Sequence, residues 1–411
     1  MVFNHRLYIR LIARSLFRSR RTHARLTPRR LRFLSFFTLL YPLLELGLGL
    51  CFLLDDLLYP GFRKQRIERP LFIIGNYRSG STFLHRVLAE DTRSFATLRT
   101  WEIYLAPSIV QRKILRGIGA VDRMLGGPLH RFTDRWENRV LRPVEIHRTG
   151  LRQPEEDEGL FFYIGYSLFV WFFFPFVPTD EPFHLFDRRI SGPRRRRIMR
   201  FYRGCIQRHV YYHGMRQGRR PLVYLAKNPA LSPRVDALLE TFPDARFIYL
   251  YRRPEETLPS TLSWLSFCWS FFGDPLDRYP FRGFVTELTK QWYLYPLERL
   301  ESVDERQWAV VRFEDLVQSP EQTLRLVCRR LDIPLSEGLE RVIGGLAGRS
   351  ERYRNHHSYA LEDAGLTRER LREEYREVYR ELARLESNDT ETRETRETDA
   401  RCHTLSRLDP T

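Results

Sequence analysis

The chain has 411 residues, 43% of them apolar and 14% aromatic, with a formal net charge of +17. That is enough apolar material for one large α/β core or two small ones. Five scattered cysteines without a Cys-x-x-Cys, and eleven histidines without a His-Glu-x-x-His, exclude a disulfide framework and the common zinc motifs.

The charge is concentrated at the start. Residues 1–32 hold ten Arg and no Asp or Glu, which is over half of the excess. No zinc-finger, RNP-type or homeodomain signature goes with it, so no nucleic-acid partner is expected. Arg6, Arg10, Arg14 and Arg18 recur every four residues and share one face of a helix, with Leu7, Ile9, Leu11, Ile12, Leu16 and Phe17 between them. A nearly continuous apolar stretch follows at 33–54, close to the length of a membrane span. Pro42 and Glu45 interrupt it, and Asp55-Asp56 end it. A carboxylate in lipid is costly. The pattern therefore favours a basic amphipathic helix and a hydrophobic helix or hairpin lying in or against a membrane surface. The cytoplasmic face is the first expectation, and a signal anchor with a lumenal catalytic domain is the alternative. Simple packing of both helices on the body, or an Arg-rich transit peptide, stays open.

Residues 71–88 carry the most chemistry. Leu71 to Ile74 read as a buried strand that breaks at Gly75. Residues 75–82 then run into an apolar-periodic helix through Phe83, Leu84, Val87 and Leu88. Strand, glycine loop and helix N-terminus make an anion site, because unpaired N–H groups and the helix dipole converge there. The spacing is Gly-x4-Gly-x-Ser/Thr, that of a Walker A loop, but Ser81 stands where the Walker lysine belongs. The fixed cation is Arg78 instead.

Farther on, acidic residues Glu155, Glu156, Asp157 and Glu158 precede an aromatic block at 160–178. A second aromatic cluster contains Trp264, Phe267, Trp269, Phe271 and Phe272. Either is core, an apolar acceptor pocket or a membrane-facing lid. Strand-like runs recur near 222–225, 247–251 and 309–313. The first is followed by Ala226-Lys227-Asn228-Pro229. The second ends at Arg252-Arg253-Pro254, with Ser260 eight residues after Arg252. Strands alternating with helices imply a parallel sheet flanked by helices, with ligands at the strand C-termini. His356-His357 reads as loop or pocket residues, Thr367 opens an amphipathic helix, and the Thr/Glu/Arg-rich tail lacks apolar periodicity. The domains expected are a basic and hydrophobic helical region at 1–66, a catalytic body at 67–386 and a disordered tail at 387–411.

Arg78-Ser79-Gly80-Ser81-Thr82 resembles the 5′-phosphosulfate loop of sulfotransferases that use 3′-phosphoadenosine-5′-phosphosulfate (PAPS). Arg252 and Ser260 resemble that family's 3′-phosphate pair, and Lys227 its Lys-x-Pro lysine. With 310–316 and 353–366, the resemblance runs in order over roughly 68–385, closest to a bacterial branch, with features shared with tyrosylprotein sulfotransferases. It implies a P-loop nucleotide-kinase-like fold, PAPS as co-substrate without a metal, and sulfuryl transfer to a hydroxyl, or less readily an amine, of a hydrophobic or lipid-like acceptor. Arg78, Ser79, Gly80, Ser81, Thr82, Arg252 and Ser260 would hold the donor, and Arg78 and Lys227 would act on its charge. Glu102 is the expected general base, because several relatives place a glutamate at a similar distance after the loop. The acidic run at 155–158 is the reserve. Pro229 and Leu231 occupy positions where relatives carry a base histidine. Two other classes stay open: a nucleotide kinase or NTPase relative, and a non-catalytic membrane-associated protein retaining the fold. Oligomeric state is not legible.

Overall fold

The computed structural model describes residues 3–140, 150–176, 181–216, 222–346, 361–362 and 365–387. His356 and His357, most of the 353–366 segment and the tail from 388 lie outside the described residues. Contacts divide the chain into units 1–359 and 360–411.

Five parallel strands form the centre: β1 Leu71–Gly75, β2 Phe95–Ala96, β3 Val223–Lys227, β4 Arg246–Tyr251 and β5 Trp308–Arg312, in the order β2-β3-β1-β4-β5. Four of these are the expected apolar runs. The two-residue β2 at the edge is too short to show a period in sequence. β1 and β4 are buried at every position, as strands covered on both faces must be. Leu71, Ile73, Ile248 and Leu250 pack with Leu84, Val87 and Leu88 of α3 (Ser81–Ala89) on one side. Phe72, Phe247 and Tyr224 face the other. The register pairs Ile73 with Lys227 and Gly75 with Leu250, so the C-terminal ends of β1, β3 and β4 finish side by side.

Two helices precede the sheet, α1 His5–Phe17 and α2 Pro28–Leu58. The expected 33–54 stretch is thus one helix of 31 residues with Pro42 inside it. Thr27 caps it and Pro28 takes its first position. Its buried residues, Arg30, Leu34, Tyr41, Leu48 and Asp55, are spaced by four and seven and form one narrow face. Three polar ties run from that face. Arg30 donates to the Phe173 and Phe272 carbonyls at 2.6 Å each. Tyr41 donates to the Phe162 carbonyl. Asp55 accepts from the Ile109 and Val110 amides and from Arg208 at 2.9–3.0 Å. The other face exposes Leu39, Leu43, Leu46, Leu50 and Leu57 among others.

Between β2 and β3 come α4 Thr100–Tyr104, α5 Ile109–Met124, α6 Pro128–Val140, α7 Glu158–Phe162, α8 Val170–Phe173, α9 Phe186–Arg189 and the long α10 Gly192–Arg216. Then follow α11 Val235–Thr241, α12 Pro254–Phe272, α13 Arg282–Leu300, α14 Phe313–Gln318, α15 Pro320–Arg330 and α16 Glu337–Gly344. In the second unit, Thr367 caps α17 Arg368–Glu374, and residues 376–387 are helical again after a turn at Tyr375.

Candidate active site

The loop after β1 is shaped by three unusual backbone positions. Gly75 has φ 137°, and a Cβ there would lie 2.0 Å from the Leu250 carbonyl oxygen, so β4 admits only glycine. Gly80 has φ 87° and caps α3 in the left-handed region, and a Cβ there would strike the Phe313 ring at 2.6 Å. Arg78, a non-glycine residue, also has a positive φ, of 67°. Ser79 is buried and closes the loop on itself by donating to the Asn76 carbonyl at 2.7 Å. Asn76 reaches α13 through the Thr289 carbonyl. Ser81 and Thr82 then open α3, whose N-terminal amides face the loop.

The two anion motifs, 182 positions apart in the chain, meet here. Arg78 Nε donates to Ser260 Oγ at 3.0 Å. Ser260, expected to share a phosphate with Arg252, thus also touches the first loop. Arg252 leaves β4 and is held by Glu256, one turn on, with its guanidinium 4.3 Å over the Phe313 ring. Phe313 touches both motifs, since the same ring blocks a side chain at position 80. No sequence signal marked it: a phenylalanine after a strand reads as ordinary core.

Lys227 ends β3 beside the loop. The neighbouring Asn228 amide donates to the Ile73 carbonyl of β1 at 3.1 Å. Lys227 Nζ donates to Glu156 Oε1 at 2.5 Å, and both residues are buried. The next two acids of the run fix this glutamate's position. Asp157 accepts from the Tyr202 and Tyr224 hydroxyls and from Asn228. Glu158 is fully buried against Arg234, with which it makes two hydrogen bonds of 3.0 and 3.2 Å. Burial pushes the Asp157 carboxyl up to about 6 even though three donors oppose it. Burial also raises the Tyr77 hydroxyl in the loop, and Glu156 and Glu158 add to that rise.

Glu102 has other company. Its carboxylate accepts from the Arg99 amide at 2.9 Å and from His213 Nε2 at 3.0 Å, with Arg112 at 4.0 Å and His209 at 3.8 Å. These partners belong to α5, α10 and the turn before α4. None lies in the anion loop, at the end of β3 or in the Arg252 turn. Burial pushes the Glu102 carboxyl up, but His209, Arg112 and His213 more than reverse this and hold it well below the usual carboxylate range. A carboxylate so stabilised is a poor proton acceptor, which differs from the setting expected of a base. Glu102, His209 and His213 also bring three possible metal-ligand atoms within 4.8 Å of one another. The Arg112 guanidinium stands 3.0 Å from His209 Nδ1, so a fixed cation already balances that cluster.

The aromatic blocks connect the loop to the N-terminal helices. Tyr77 packs on Trp264 at 5.4 Å, and Trp264 meets Phe172 at 5.1 Å. The next residue, Phe173, lies against Phe33 of α2 and against Phe162.

Comparisons with known proteins bear on this geometry. A model of the sulfotransferase family matches residues 70–337. Two curated relatives, from Mycobacterium bovis and Mycobacterium tuberculosis, are each an omega-hydroxy-beta-dihydromenaquinone-9 sulfotransferase, Stf3. Each is 28% identical over 278 residues, covering 65% of this chain. The match spans 63% of the length of those relatives. Two solved structures share the fold. Sulfotransferase STF1 from Mycobacterium tuberculosis H37Rv has a TM-score of 0.62 at 21% identity, covering 90% of this chain and 92% of that one. Sulfotransferase STF9 from Mycobacterium avium has 0.64 at 20%, covering 92% and 96%.

Proposed function

From the premise that the chain belongs to the sulfotransferase family, a family of enzymes, we propose that it transfers a sulfuryl group from PAPS to a hydroxyl on a hydrophobic, lipid-like acceptor. The observation that carries this is the meeting of Arg78 with Ser260 at strand ends that also present the Lys227–Glu156 pair. The residues suit a bisphosphorylated donor. The N-terminal amides of α3 suit an anion, Arg78 is a cation in the loop before them, and Arg252 is a second cation, stacked on Phe313. Ser79, Gly80, Ser81 and Thr82 line the first anion position, and Arg252 with Ser260 the second. Bound there, the donor supplies an activated sulfuryl group on a phosphate leaving group.

The chain's own residues then divide the work. Glu156 would take the hydroxyl proton of the acceptor as the acceptor oxygen bonds to sulfur and the bond from sulfur to the bridging phosphate oxygen breaks, that oxygen leaving with the phosphate. Lys227 and Arg78 face the charge that grows on the departing phosphate. When Lys227 turns to that charge, Glu156 loses its partner and becomes a free base next to the acceptor. This moves the base from Glu102 to the second member of the acidic run.

The aromatic succession from Tyr77 through Trp264 and Phe172 toward α2 supports an apolar acceptor, as does the menaquinone-derived substrate named for the relatives. We place α2 along a membrane surface, its buried face tied to the body and its leucines turned to lipid. The ties at Arg30, Tyr41 and Asp55 run along the helix and hold it lengthwise against the body.

The test is calorimetric titration with 3′-phosphoadenosine-5′-phosphate against magnesium ATP, on wild type and Arg252→Ala. Tight binding of the bisphosphate, lost in the variant, is expected. Preference for magnesium ATP would favour the kinase reading, which Ser81 at the Walker-lysine position opposes.

A further inference from the structure

The hairpin of α5 and α6 turns apolar side chains outward along both helices. Ile114, Ile118 and Val121 of α5, and Leu125 at its C-cap, follow a four-three-four spacing, and all are exposed. In α6, Leu129, Phe132 and Trp136 continue the pattern, and Phe132 is 65% exposed. Such a stripe is what an amphipathic helix normally buries. Here it is left open by the described residues.

The hairpin is held in shape. Gly126 and Gly127 make its turn with φ of 80° and 76°. The Asp122 carboxylate accepts from the Leu129 and His130 amides at 2.7 and 3.0 Å and caps α6. The exposed stripe is therefore a feature of the folded hairpin, not of a frayed end.

Its charges have mostly one sign. Lys113, Arg116, Arg123, Arg131, Arg135 and Arg139 are all exposed around the stripe. Of the three acids between 109 and 140, Asp122 is spent on the cap and Asp134 pairs with His130 at 2.9 Å. Lys113 and Arg116 also border an open depression of about 410 Å³ that Tyr212 and Met215 of α10 help to line.

We propose that the α5–α6 hairpin inserts its apolar stripe into the surface of an anionic phospholipid bilayer. Two observations select this occupant. A stripe with a tryptophan in its last turns and arginines on its flanks is the pattern of an interfacial helix, whose aromatic rings sit at headgroup depth while the cations meet phosphate. The hairpin also adjoins a helix that exposes leucines of its own. The end of α2 and the start of α5 are joined through Asp55, and Lys113 Nζ lies 4.3 Å over the Tyr59 ring just past α2. Leu50, Leu53, Leu57 and Leu58 are exposed in the last turns before that joint. The hairpin thus gives the enzyme a second point of attachment beside α2. Its use, holding the site over a membrane-dissolved acceptor, rests on the lipid-acceptor reading; its physics does not.

The experiment is flotation of the full-length chain with vesicles of phosphatidylcholine alone and of phosphatidylcholine with phosphatidylglycerol, without donor or acceptor. The variants are Phe132→Asp with Trp136→Asp, and Leu46→Asp on α2. Both sets lie at exposed positions, and thermal melts check that folding is kept. Wild type should float with the phosphatidylglycerol vesicles, more weakly as salt rises. The hairpin double variant should lose at least tenfold in partitioning. Flotation of the double variant equal to wild type would overturn the proposal, as would no flotation of wild type. A wild-type dimer in gel filtration that the double variant splits would also overturn it, making the stripe a contact between copies. Nucleotide titration of the same preparations separates the two readings: failure to bind the bisphosphate with flotation intact would sink the sulfotransferase chemistry and leave the membrane face standing.

Discussion

Glu102 and Glu156 are both buried carboxylates beside cations, yet their surroundings differ in kind. Glu102 is satisfied from several sides, by an amide, by His213, and by Arg112 and His209 just beyond hydrogen-bond range. Its charge is committed to holding α4 against α5 and α10. Glu156 has one strong partner, Lys227, at the end of a strand that faces the anion loop. In the proposed chemistry that partner would be drawn to the anionic donor. A buried carboxylate can serve as a base when the cation that stabilises it can be drawn away by substrate. Paired with permanent neighbours, it is structure.

The sharpest way to break this comparison is Glu156→Gln. Turnover should fall by roughly 10³ to 10⁴ while bisphosphate affinity holds, since a general base is removed and the donor contacts stay. If kcat is unchanged, the base lies elsewhere. Glu102→Gln should do the reverse. Breaking one side of a buried charged cluster costs about 4 kcal/mol of stability, read as a shift in the urea midpoint, and kcat per folded molecule should be kept. A variant as stable as wild type with no turnover would restore Glu102 to the chemistry. Lys227→Ala should cost roughly 10² to 10³ in kcat, the scale of one lost transition-state donor. Its effect should not add to that of Glu156→Gln, because the two residues act as a pair.

The same contrast explains what could be read in advance. The strand, loop and helix at 71–89 and the strand and helix around Arg252 were legible as local strings of apolar run, turn and periodic segment, while the pairing of Arg252 with Ser260 came from the family resemblance. Their approach was implied by both motifs following strand C-termini, though the direct contact of Arg78 with Ser260 was not. The four longer strands were legible as apolar runs, whereas β2, with two residues, was not. The carboxylate proposed as the base was hard to single out for a physical reason. Glu156 meets Lys227 across 71 positions and Glu102 meets His213 across 111. Neither separation leaves a trace in local pattern, so four adjacent acids could not be ranked. The fold ranks them, burying Asp157 and Glu158 in networks of their own and leaving Glu156 turned to the lysine. Phe313 escaped notice because its part depends on Gly80, which lies on a distant loop.

The smallest effect tests the same contrast through acid–base linkage. Asp157, which positions the acidic run, has its carboxyl raised by burial to about 6, above the 3.8 of an ordinary Asp. The folded state therefore binds more protons than the unfolded chain between about pH 4 and 6, and Asp157 costs stability as pH rises through that window, by roughly 3 kcal/mol in total. Glu102 is depressed, so its contribution is present above pH 4.5 and lost as pH falls below it. Burial holds His85 and His209 well below their ordinary range, and His184 at about 4, so all three penalise acid and shape the total profile. Each carboxylate must therefore be read as a difference between variant and wild type. For Asp157→Asn, the variant minus wild-type stability should rise across pH 4 to 6 and level off above about 7. For Glu102→Gln, the same difference should fall as pH rises through 4.5. Urea midpoints at closely spaced pH values give both curves. Slopes of opposite sign would show that one buried acid is held as an anion and its neighbour in the fold is held nearer neutrality; parallel curves would mean that the two clusters do not differ in the way their partners imply.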